Sequence, residues 1–352
     1  MEKRVEFLHA GGLVDMHFDL PLGLQWNDDP EVIAKEFLPE FVAGNIGVLG
    51  VATYVEDRFL PDKGLNVALC QVARLYAAAE RTGQVEICKT YEEICRARQN
   101  GRIALLLTME GAEPLGTDLE LVRIFYELGL RAISLTHARP NAAANGGIFA
   151  ASGSPPEGLT DFGRDLVREC ERLGIMIDLA HINSAGFDEI FRLTNKPLIV
   201  SHTNSRRYYD VERNISDEQI KMIGQRGGVI GINAILVSPH KAEATLDRYV
   251  DHIEHVVGLI GIEGVGIGFD FCEFLWKQMS QSDREKLEAK LTTPHFLSDL
   301  GNHSQARNVT RRLISRGWKD DAIEKFLRGN WMRVFKELLG GQASSLTRPT
   351  AF

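Results

Sequence analysis

Histidine and carboxylate side chains stand at the ends of apolar runs in this sequence, and the first example is His17 with Asp19. The run over residues 13–19 opens with Leu and Val and places His17 and Asp19 on either side of Phe18. Residues i and i+2 of a β-strand point to the same face, so the two side chains would project together. An imidazole nitrogen beside a carboxylate oxygen is a ligand pair suited to zinc or a similar divalent ion.

The same feature recurs at five later apolar runs, each ending in a histidine or a carboxylate. Their end residues are, in chain order, Glu110, His137, His181, His202 and Asp270. Any one of them could be a structural hydrogen-bonding residue or a helix cap. The chain has ten histidines, however, and a random arrangement would rarely place four of them at strand ends. The set therefore predicts one shared site.

Part of this set has the composition of a two-metal centre. The candidate ligands are His17, Asp19, Glu110, His181 and His202. Two divalent ions about 3.5–4 Å apart, bridged by one carboxylate, can share a hydroxide and polarise a carbonyl oxygen, which suits amide hydrolysis. Imidazole and carboxylate ligands favour Zn²⁺, with Mn²⁺, Co²⁺ or Fe²⁺ as alternatives. His137 and Asp270 are left for acid–base and electrostatic roles.

The apolar runs that carry these residues are eight in number and alternate with amphipathic segments. They cover residues 13–19, 47–55, 103–110, 132–137, 175–181, 198–202, 228–233 and 265–270. Continuous Val, Ile and Leu are typical of strands buried on both faces. The alternation predicts an α/β protein with a (β/α)₈ barrel, whose active sites lie at the carboxyl ends of the strands. The alternative is a doubly wound open sheet, which usually has fewer strands.

Helical periodicity is clearest between the strands, and further helices are predicted after the last one. The segments between the strands are 65–81, 119–128, 162–173, 184–193, 217–225 and 246–260; those after are 307–317, 320–329 and 331–339. Residues 25–39, 141–158 and 274–296 resemble insertions. Since no Pro-, Gly- or Ser-rich linker divides the chain, we predict one domain over 1–352, with C-terminal helices (about 303–340) packed on the barrel.

Composition and charge argue against some classes of binding partner and favour one cellular compartment. The formal net charge is -8 with a pI near 5.7, which argues against nucleic acid or an anionic membrane as a partner. The five cysteines are scattered and form no CxxC pair, so a reducing cytoplasm is expected. The first ten residues lack an apolar signal core, and no run approaches the ~20 residues of a membrane span.

A basic loop follows His202 directly and carries three arginines. They are Arg206, Arg207 and Arg213. An arginine on the catalytic face of a barrel could bind a carboxylate through a bidentate pair of hydrogen bonds. For each of the three, a solvated surface position is the alternative.

Taken together in chain order, these motifs resemble the membrane (renal) dipeptidase family of the amidohydrolase superfamily. The motifs that carry the resemblance are Asp15-x-His17-x-Asp19-Leu20-Pro21, Glu110-Gly111, Leu135-Thr136-His137, Ile177-Asp178-Leu179-Ala180-His181, Ser201-His202, Arg213-Asn214-Ile215, Gly227-Gly228-Val229-Ile230-Gly231-Ile232-Asn233, Gly268-x-Asp270-Phe271 and Asn330. The resemblance covers nearly the whole chain.

The resemblance implies a dipeptidase with two zinc ions, in which a metal-bridging hydroxide cleaves dipeptides, including those with a C-terminal D-residue. By matched motif, His17 and Asp19 would bind one ion, and Glu110 would bridge it to a second. The second ion would be held by His181 and His202. A homodimer is implied in the same way.

The resemblance also implies roles for three residues outside the metal shell. His137 would steady the scissile carbonyl or its oxyanion. Arg213 would bind the C-terminal carboxylate of the substrate. Asp270 would receive the substrate's amino group and transfer a proton.

Two other functions fit parts of the pattern. A binuclear amidohydrolase could act on N-acyl amino acids, cyclic amides or lactones, but many such enzymes bridge their metals with a modified lysine, where this chain has Glu110. A catalytically silent barrel would be expected to have lost ligands, whereas all five positions are filled. Departures from the family at Ala112, Ala234 and Cys272, and the missing tryptophan in 139–149, bear on substrate preference.

Overall fold

A closed barrel of parallel strands forms the centre of the molecule. The computed structural model describes residues 1–146, 157–288 and 294–340. Within these ranges the strands are β1 (Leu13–Phe18), β2 (Ile46–Tyr54), β3 (Val85–Ile87), β4 (Ile103–Glu110), β5 (Leu130–Ser134), β6 (Met176–Asp178), β7 (Ile199–Thr203), β8 (Val229–Ile232) and β9 (Val265–Ile267). The closed order is β1-β2-β4-β5-β6-β7-β8-β9, with β9 pairing back to β1 and every pairing parallel. Short β3 lies beside the start of β4 and stays outside this ring.

Helices cover the barrel and confirm the predicted (β/α)₈ architecture. Within the same ranges they are α1 (Glu2–His9), α2 (Leu20–Trp26), α3 (Leu38–Gly44), α4 (Gly64–Thr82), α5 (Tyr91–Gln99), α6 (Glu120–Leu128), α7 (Asp161–Leu173), α8 (Ser184–Leu193), α9 (Asp217–Gln225), α10 (Leu246–Ile260), α11 (Glu273–Gln278), α12 (Gln281–Glu288), α13 (Arg307–Ser315), α14 (Asp320–Glu324) and α15 (Asn330–Leu339). A π-helix, Lys325–Gly329, joins α14 to α15. None of these helices has the length and apolar content required to cross a lipid bilayer.

Local chemistry explains where several helices begin and end. The Ser216 hydroxyl oxygen accepts from the Gln219 backbone N–H, and the Gln219 side-chain oxygen accepts from the Ser216 backbone N–H, so α9 starts with a complete capping box. Asn183 caps α8 by accepting from the Gly186 backbone N–H. Gly174 ends α7 with a left-handed φ of 78°, a conformation that glycine adopts without steric cost.

Some elements were not predicted from the sequence. Helices α1, α2, α3, α5, α11 and α12 and the strand β3 went unpredicted because they are short or weakly periodic. The segment 25–39, interpreted as a polar insertion, contains the end of α2, the π-helix Ile33–Phe37 and the start of α3. Most of the second insertion, 147–156, lies outside the described residues.

Two apolar layers fix the barrel. The larger cluster joins outward strand residues such as Leu105 to helices of the outer ring. The smaller one joins alternate residues, including Val14 and Leu106, to Trp331 and Phe335 of α15. Because neighbouring strand residues point to opposite faces, the smaller cluster fills the barrel interior, and α15 packs against it.

Replacing Trp331 with Ala should destabilise the fold by about 3–5 kcal/mol. The indole is fully buried, donates from Nε1 to the Ile267 carbonyl oxygen at 2.9 Å and occupies the space beside Gly266. Denaturant unfolding followed by circular dichroism measures the change in the free energy of unfolding. A loss below about 1 kcal/mol would show that α15 contributes little to barrel stability.

Three strands are shorter than predicted, and the difference bears on the site. The runs 132–137, 175–181 and 265–270 extend beyond the observed β5, β6 and β9 by three residues each at their carboxyl ends. His181 and Asp270 take left-handed backbone conformations, with φ of 65° and 59°. Such residues leave the extended path, so these two side chains project from turns just past the strands rather than from the strands themselves.

Candidate metal centre

All seven predicted metal and acid–base residues lie in one cluster at the carboxyl ends of the strands. Their potential ligand atoms fall within 4.8 Å of one another in three overlapping groups. The groups are His17, Asp19 and Glu110; Glu110, His137 and His181; and His17, His202 and Asp270. Shared members join the groups into a single site, so the structure brings the predicted set together.

The carboxylate of Glu110 is the centre of the cluster. It is the last residue of β4, and its Oε1 lies 3.7 Å from Nε2 of His17 on β1. The same oxygen is 2.9 Å from Nε2 of His181 and 3.3 Å from Nε2 of His202. A carboxylate oxygen this close to three histidine nitrogens can share a metal ion with them.

His17 and Asp19 form one side of the cluster, as their spacing predicted. Nε2 of His17 is 3.7 Å from Oδ1 of Asp19, and that oxygen is buried without a hydrogen-bond partner among the described residues. A buried carboxylate oxygen without a donor is costly unless it faces a cation. This orphaned atom, beside a histidine nitrogen, fits a metal ligand.

His181 and His202 form the other side, with their Nε2 atoms 3.0 Å apart. His202 is oriented by a hydrogen bond of 2.7 Å between its Nδ1 and the hydroxyl of Ser201. When Nδ1–H donates this bond, the lone pair of Nε2 is free for a metal. Asp178 accepts from the Ser201 backbone N–H at 2.8 Å and from the Ala180 N–H at 3.0 Å, which ties the turn after β6 to β7.

A buried, hydrogen-bonded pair of side chains, Asp15 and His303, supports β1. Oδ1 of Asp15 accepts from the backbone N–H of His17 at 3.3 Å and from that of Phe269 at 2.9 Å. Its Oδ2 accepts from Nε2 of His303 at 2.8 Å, and both side chains are fully buried. The pair therefore joins β1 and the end of β9 to the C-terminal segment, a contact that residue spacing did not predict.

Burial shapes the charge state of the carboxylates. It raises the pKa of Asp19 to about 7. Burial, followed by the nearby charges of Asp19 and Asp270, raises the pKa of Glu110 well above its usual range. The pKa of Asp270 is also raised, mainly by burial, although the Arg213 guanidinium opposes the shift. The closely placed carboxyl groups thus oppose one another's ionisation, and the Arg213 guanidinium offsets this only in part.

The histidines are held in the form that binds metal. Burial lowers the pKa of His17 to about 3 and holds the pKa values of His181 and His202 well below their usual range. Neutral imidazoles beside crowded carboxylates make a donor set that matches divalent transition metals. The residues present therefore fit a metal centre on their own chemistry.

Of the three candidate arginines, Arg213 is the one that lies beside the candidate metal centre. It is 4% exposed, and its Nη2 donates to the His202 carbonyl oxygen at 3.0 Å. Its Nη1 is buried without a hydrogen-bond partner among the described residues. Arg206 instead bonds the Asn214 carbonyl oxygen at the side of the loop, and Arg207 is exposed.

His137 lies between two rings at the rim. Its ring centroid is 4.6 Å from that of Tyr54 and 4.4 Å from that of His181. Tyr54 is anchored through its hydroxyl by Arg139 at 2.9 Å. Burial, with a smaller contribution from Arg139, lowers the pKa of His137, which keeps the imidazole neutral. Tyr54 was not predicted, although it is the last residue of β2 and lies one position before the end of the predicted run 47–55.

Comparison with known proteins agrees with this geometry. The sequence pattern of the family described as "Membrane dipeptidase (Peptidase family M19)" matches residues 1–293 and 288–345. The chain belongs to the membrane dipeptidase family. Membership of this family identifies the protein as a metallo-dipeptidase, an enzyme that depends on metal.

Individual members of the membrane dipeptidase family show how far the likeness extends. An uncharacterized dipeptidase of Schizosaccharomyces pombe is 34% identical over 183 residues, 51% of this chain and 44% of that protein. The chain thus matches less than half of that relative's length. A dipeptidase of Claviceps purpurea is 29% identical over 93% of this chain and 74% of its own length.

A solved structure extends the agreement to the fold. A metallopeptidase from Rhodobacter sphaeroides superimposes with a TM-score of 0.81 at 25% identity, covering 93% of this chain and 99% of that one. That protein carries a phosphinate mimic of the dipeptide L-Ala-D-Ala.

Proposed function

We propose that this protein is a zinc-dependent dipeptidase that holds two metal ions and hydrolyses dipeptides, including those with a C-terminal D-residue. The observation that carries the proposal is the single Glu110 oxygen approached by His17, His181 and His202 at 3.7, 2.9 and 3.3 Å. The dipeptide mimic bound by the Rhodobacter sphaeroides relative supports the substrate class.

The metal ligands are assigned by position. His17 and Asp19 would hold one ion, His181 and His202 the other, and Glu110 both. Two bound divalent ions supply a Lewis acid for the peptide carbonyl and a water that ionises near neutral pH. Manganese, cobalt or iron are alternatives with the same ligand set.

Asp270 would move the proton, and its position supports this role. Its Oδ1 lies 3.8 Å from Nε2 of His17, and its Oδ2 lies 4.0 Å from Nε2 of His202. Because burial raises the pKa of this carboxyl, it is a stronger proton acceptor than a free aspartate, and it would take a proton from the attacking water and pass it to the leaving amine. The same carboxylate would receive the amino group of the substrate.

His137 and Arg213 would bind two other polar groups of a dipeptide, its scissile carbonyl and its carboxylate. One ring nitrogen of His137 lies within 4.8 Å of ligand atoms of Glu110 and His181, so it can hydrogen-bond the scissile carbonyl oxygen as charge develops there. The unpaired Nη1 of Arg213 is available to the substrate carboxylate. A longer peptide would have no carboxylate at that position, which limits the substrate to two residues.

Replacing Arg213 with Ala should lower kcat/KM for dipeptides by about 10²-fold or more, because a buried charged hydrogen bond is lost. The loss should be much smaller for a dipeptide amide, which has no carboxylate to bind. Steady-state kinetics on both substrates measures the difference. Arg207→Ala is the matched control, since this exposed residue belongs to the same loop. Equal kinetics for wild type and Arg213→Ala would rule out the assigned role.

A substrate panel tests the proposed class as a whole. L,L and L,D dipeptides should be cleaved, whereas N-acyl amino acids should not. Cleavage of N-acyl amino acids alone would favour the other binuclear amidohydrolases.

The single domain over 1–352, the cytoplasmic location and the homodimer stay predictions from the sequence.

A further inference from the structure

Asn233 makes a set of hydrogen bonds that no predicted role uses. It directly follows β8 and is 1% exposed. Its side-chain Nδ2 donates to Oδ2 of Asp270 at 3.1 Å. Its Oδ1 accepts from the Ile235 backbone N–H at 2.7 Å and from Nδ2 of Asn204 at 3.2 Å. The amide thus connects the loop after β8 to the proposed proton carrier.

The orientation of this amide is determined by its neighbours. A backbone N–H can only donate, so the atom facing Ile235 must be the carbonyl oxygen, and the NH₂ group must face Asp270. Asn204 reinforces this arrangement because its Nδ2 also donates to the Ile235 carbonyl oxygen at 2.7 Å. The Asn233 backbone N–H is itself bonded to the Thr203 carbonyl oxygen at 3.0 Å. These hydrogen bonds therefore fix the position of the Asn233 NH₂ group that donates to Asp270.

Two opposite charges beside Asn233 stay apart. Oδ2 of Asp270 lies 4.0 Å from Nη2 of Arg213, beyond the 2.7–2.9 Å of a direct charged hydrogen bond. Attraction between buried charges is strong, so a freely rotating Asp270 carboxylate would close this gap. Asn233 bonds the same oxygen that would move, while Arg213 is held by its bond to the His202 carbonyl oxygen.

We infer that Asn233 is a positioning residue that keeps the carboxylate of Asp270 out of a direct ion pair with Arg213. Both groups then stay free for the substrate, Arg213 for its carboxylate and Asp270 for its amino group and the proton. A collapsed pair would occupy both at once. This inference rests on the proposed dipeptidase function for its kinetic consequence, but the geometry can be tested separately.

The structural test is a crystal structure of the Asn233→Ala protein beside that of the wild type. In the variant, Asp270 should turn and approach Arg213 to about 2.7–2.9 Å. Asn233→Ser is a second variant, because its short side chain retains a hydroxyl but cannot reach Asp270, and it should give the same collapse. An Asp270 carboxylate that keeps its wild-type position in both variants would overturn the inference, whatever the substrate of the enzyme is.

The kinetic test is a double-mutant cycle on metal-loaded protein. Asn233→Ala should lower kcat/KM for a dipeptide by roughly 10²-fold, with KM raised, at unchanged metal content, since a misplacement near 1 Å costs about this much. In the Asp270→Asn background the same change should add less than about twofold, because the ion pair can no longer form. Independent, additive losses would contradict the coupling.

Asn330→Ala is the matched control for loss of a buried amide. Asn330 is also 1% exposed, but its Nδ2 donates to the carbonyl oxygens of Ile262 and Val265 at the opposite end of β9. This variant should lower Tm while leaving kcat/KM per folded enzyme within about twofold of wild type. A wild type that cleaves no dipeptide would refute the proposed function, and the crystal structures would still decide the role of Asn233.

Discussion

Glu110→Gln is expected to lower both the metal content and kcat/KM for a dipeptide, the latter by roughly 10³-fold. The carboxylate would supply ionised oxygen to both ions, whereas an amide offers one neutral oxygen and an NH₂ group that repels cations. Removing one charged partner from a buried cluster costs about 3–5 kcal/mol, and about 4.1 kcal/mol corresponds to 10³-fold. Elemental analysis and steady-state kinetics on the same preparation measure the two effects.

Glu113→Gln is a suitable control for this result. The side chain of Glu113 is only 8% exposed and lies close along the chain, but its Oε1 pairs with Nε of Arg139 at 2.9 Å instead of facing the histidines. Its replacement should leave the metal content unchanged. If Glu110→Gln keeps two metal ions and full activity, Glu110 does not bridge.

Asp270→Asn should lower kcat by about 10²–10⁴-fold, the usual contribution of a general acid–base group. An amide cannot take up and return the proton, although it has the same shape as the carboxylate. The metal content should stay at the wild-type value, because the proposed ligand set does not include Asp270. Kinetics and elemental analysis again give the two readouts, and exposed Asp210 of the arginine loop supplies an Asp→Asn control.

The metal measurement on Asp270→Asn separates two arrangements that the geometry allows. Asp270 shares a group of possible ligand atoms with His17 and His202. Loss of an ion from the variant would make Asp270 a ligand and would contradict its role as proton carrier. Retention of metal together with a low kcat would support the role of Asp270 as proton carrier.

The barrel was predictable because its strands lie within continuous apolar runs that are separated by amphipathic segments. Each of the eight predicted runs corresponds to a strand of the closed ring, since burial on both faces favours Val, Ile and Leu at consecutive positions. The three-residue β3 and helix α5 were missed, as a run such as Val85–Ile87 is too short to show a period. Packing against β4 and the barrel core, respectively, specifies these elements.

The ligand candidates were predictable for a related reason. Strand ends meet at one edge of a barrel, so a histidine or carboxylate at each end predicts a shared site without any knowledge of distances. The choice of Arg213 from three arginines was supported by resemblance alone. Its burial and its bond to the His202 carbonyl oxygen are consequences of how the loop folds back.

The residues that hold the site in place could not be predicted from the positions of strand ends. Asp15 and His303 are 288 positions apart, and nothing in their spacing indicates a contact. Asn233 lay within a recognised motif, yet its role depends on the orientation of its amide relative to Asp270 and Ile235. Residues that hold others in place are specified by three-dimensional hydrogen bonds, which leave no periodic trace in the sequence.

Metal removal and restoration test the central claim most directly. The protein is stripped with a chelator, its metal content is checked by elemental analysis, and a dipeptide library is assayed before and after zinc is added back. The proposed function predicts no hydrolysis by the stripped protein and recovery of dipeptide hydrolysis as two zinc ions bind per chain. Full dipeptide hydrolysis by protein shown to be free of metal would contradict it.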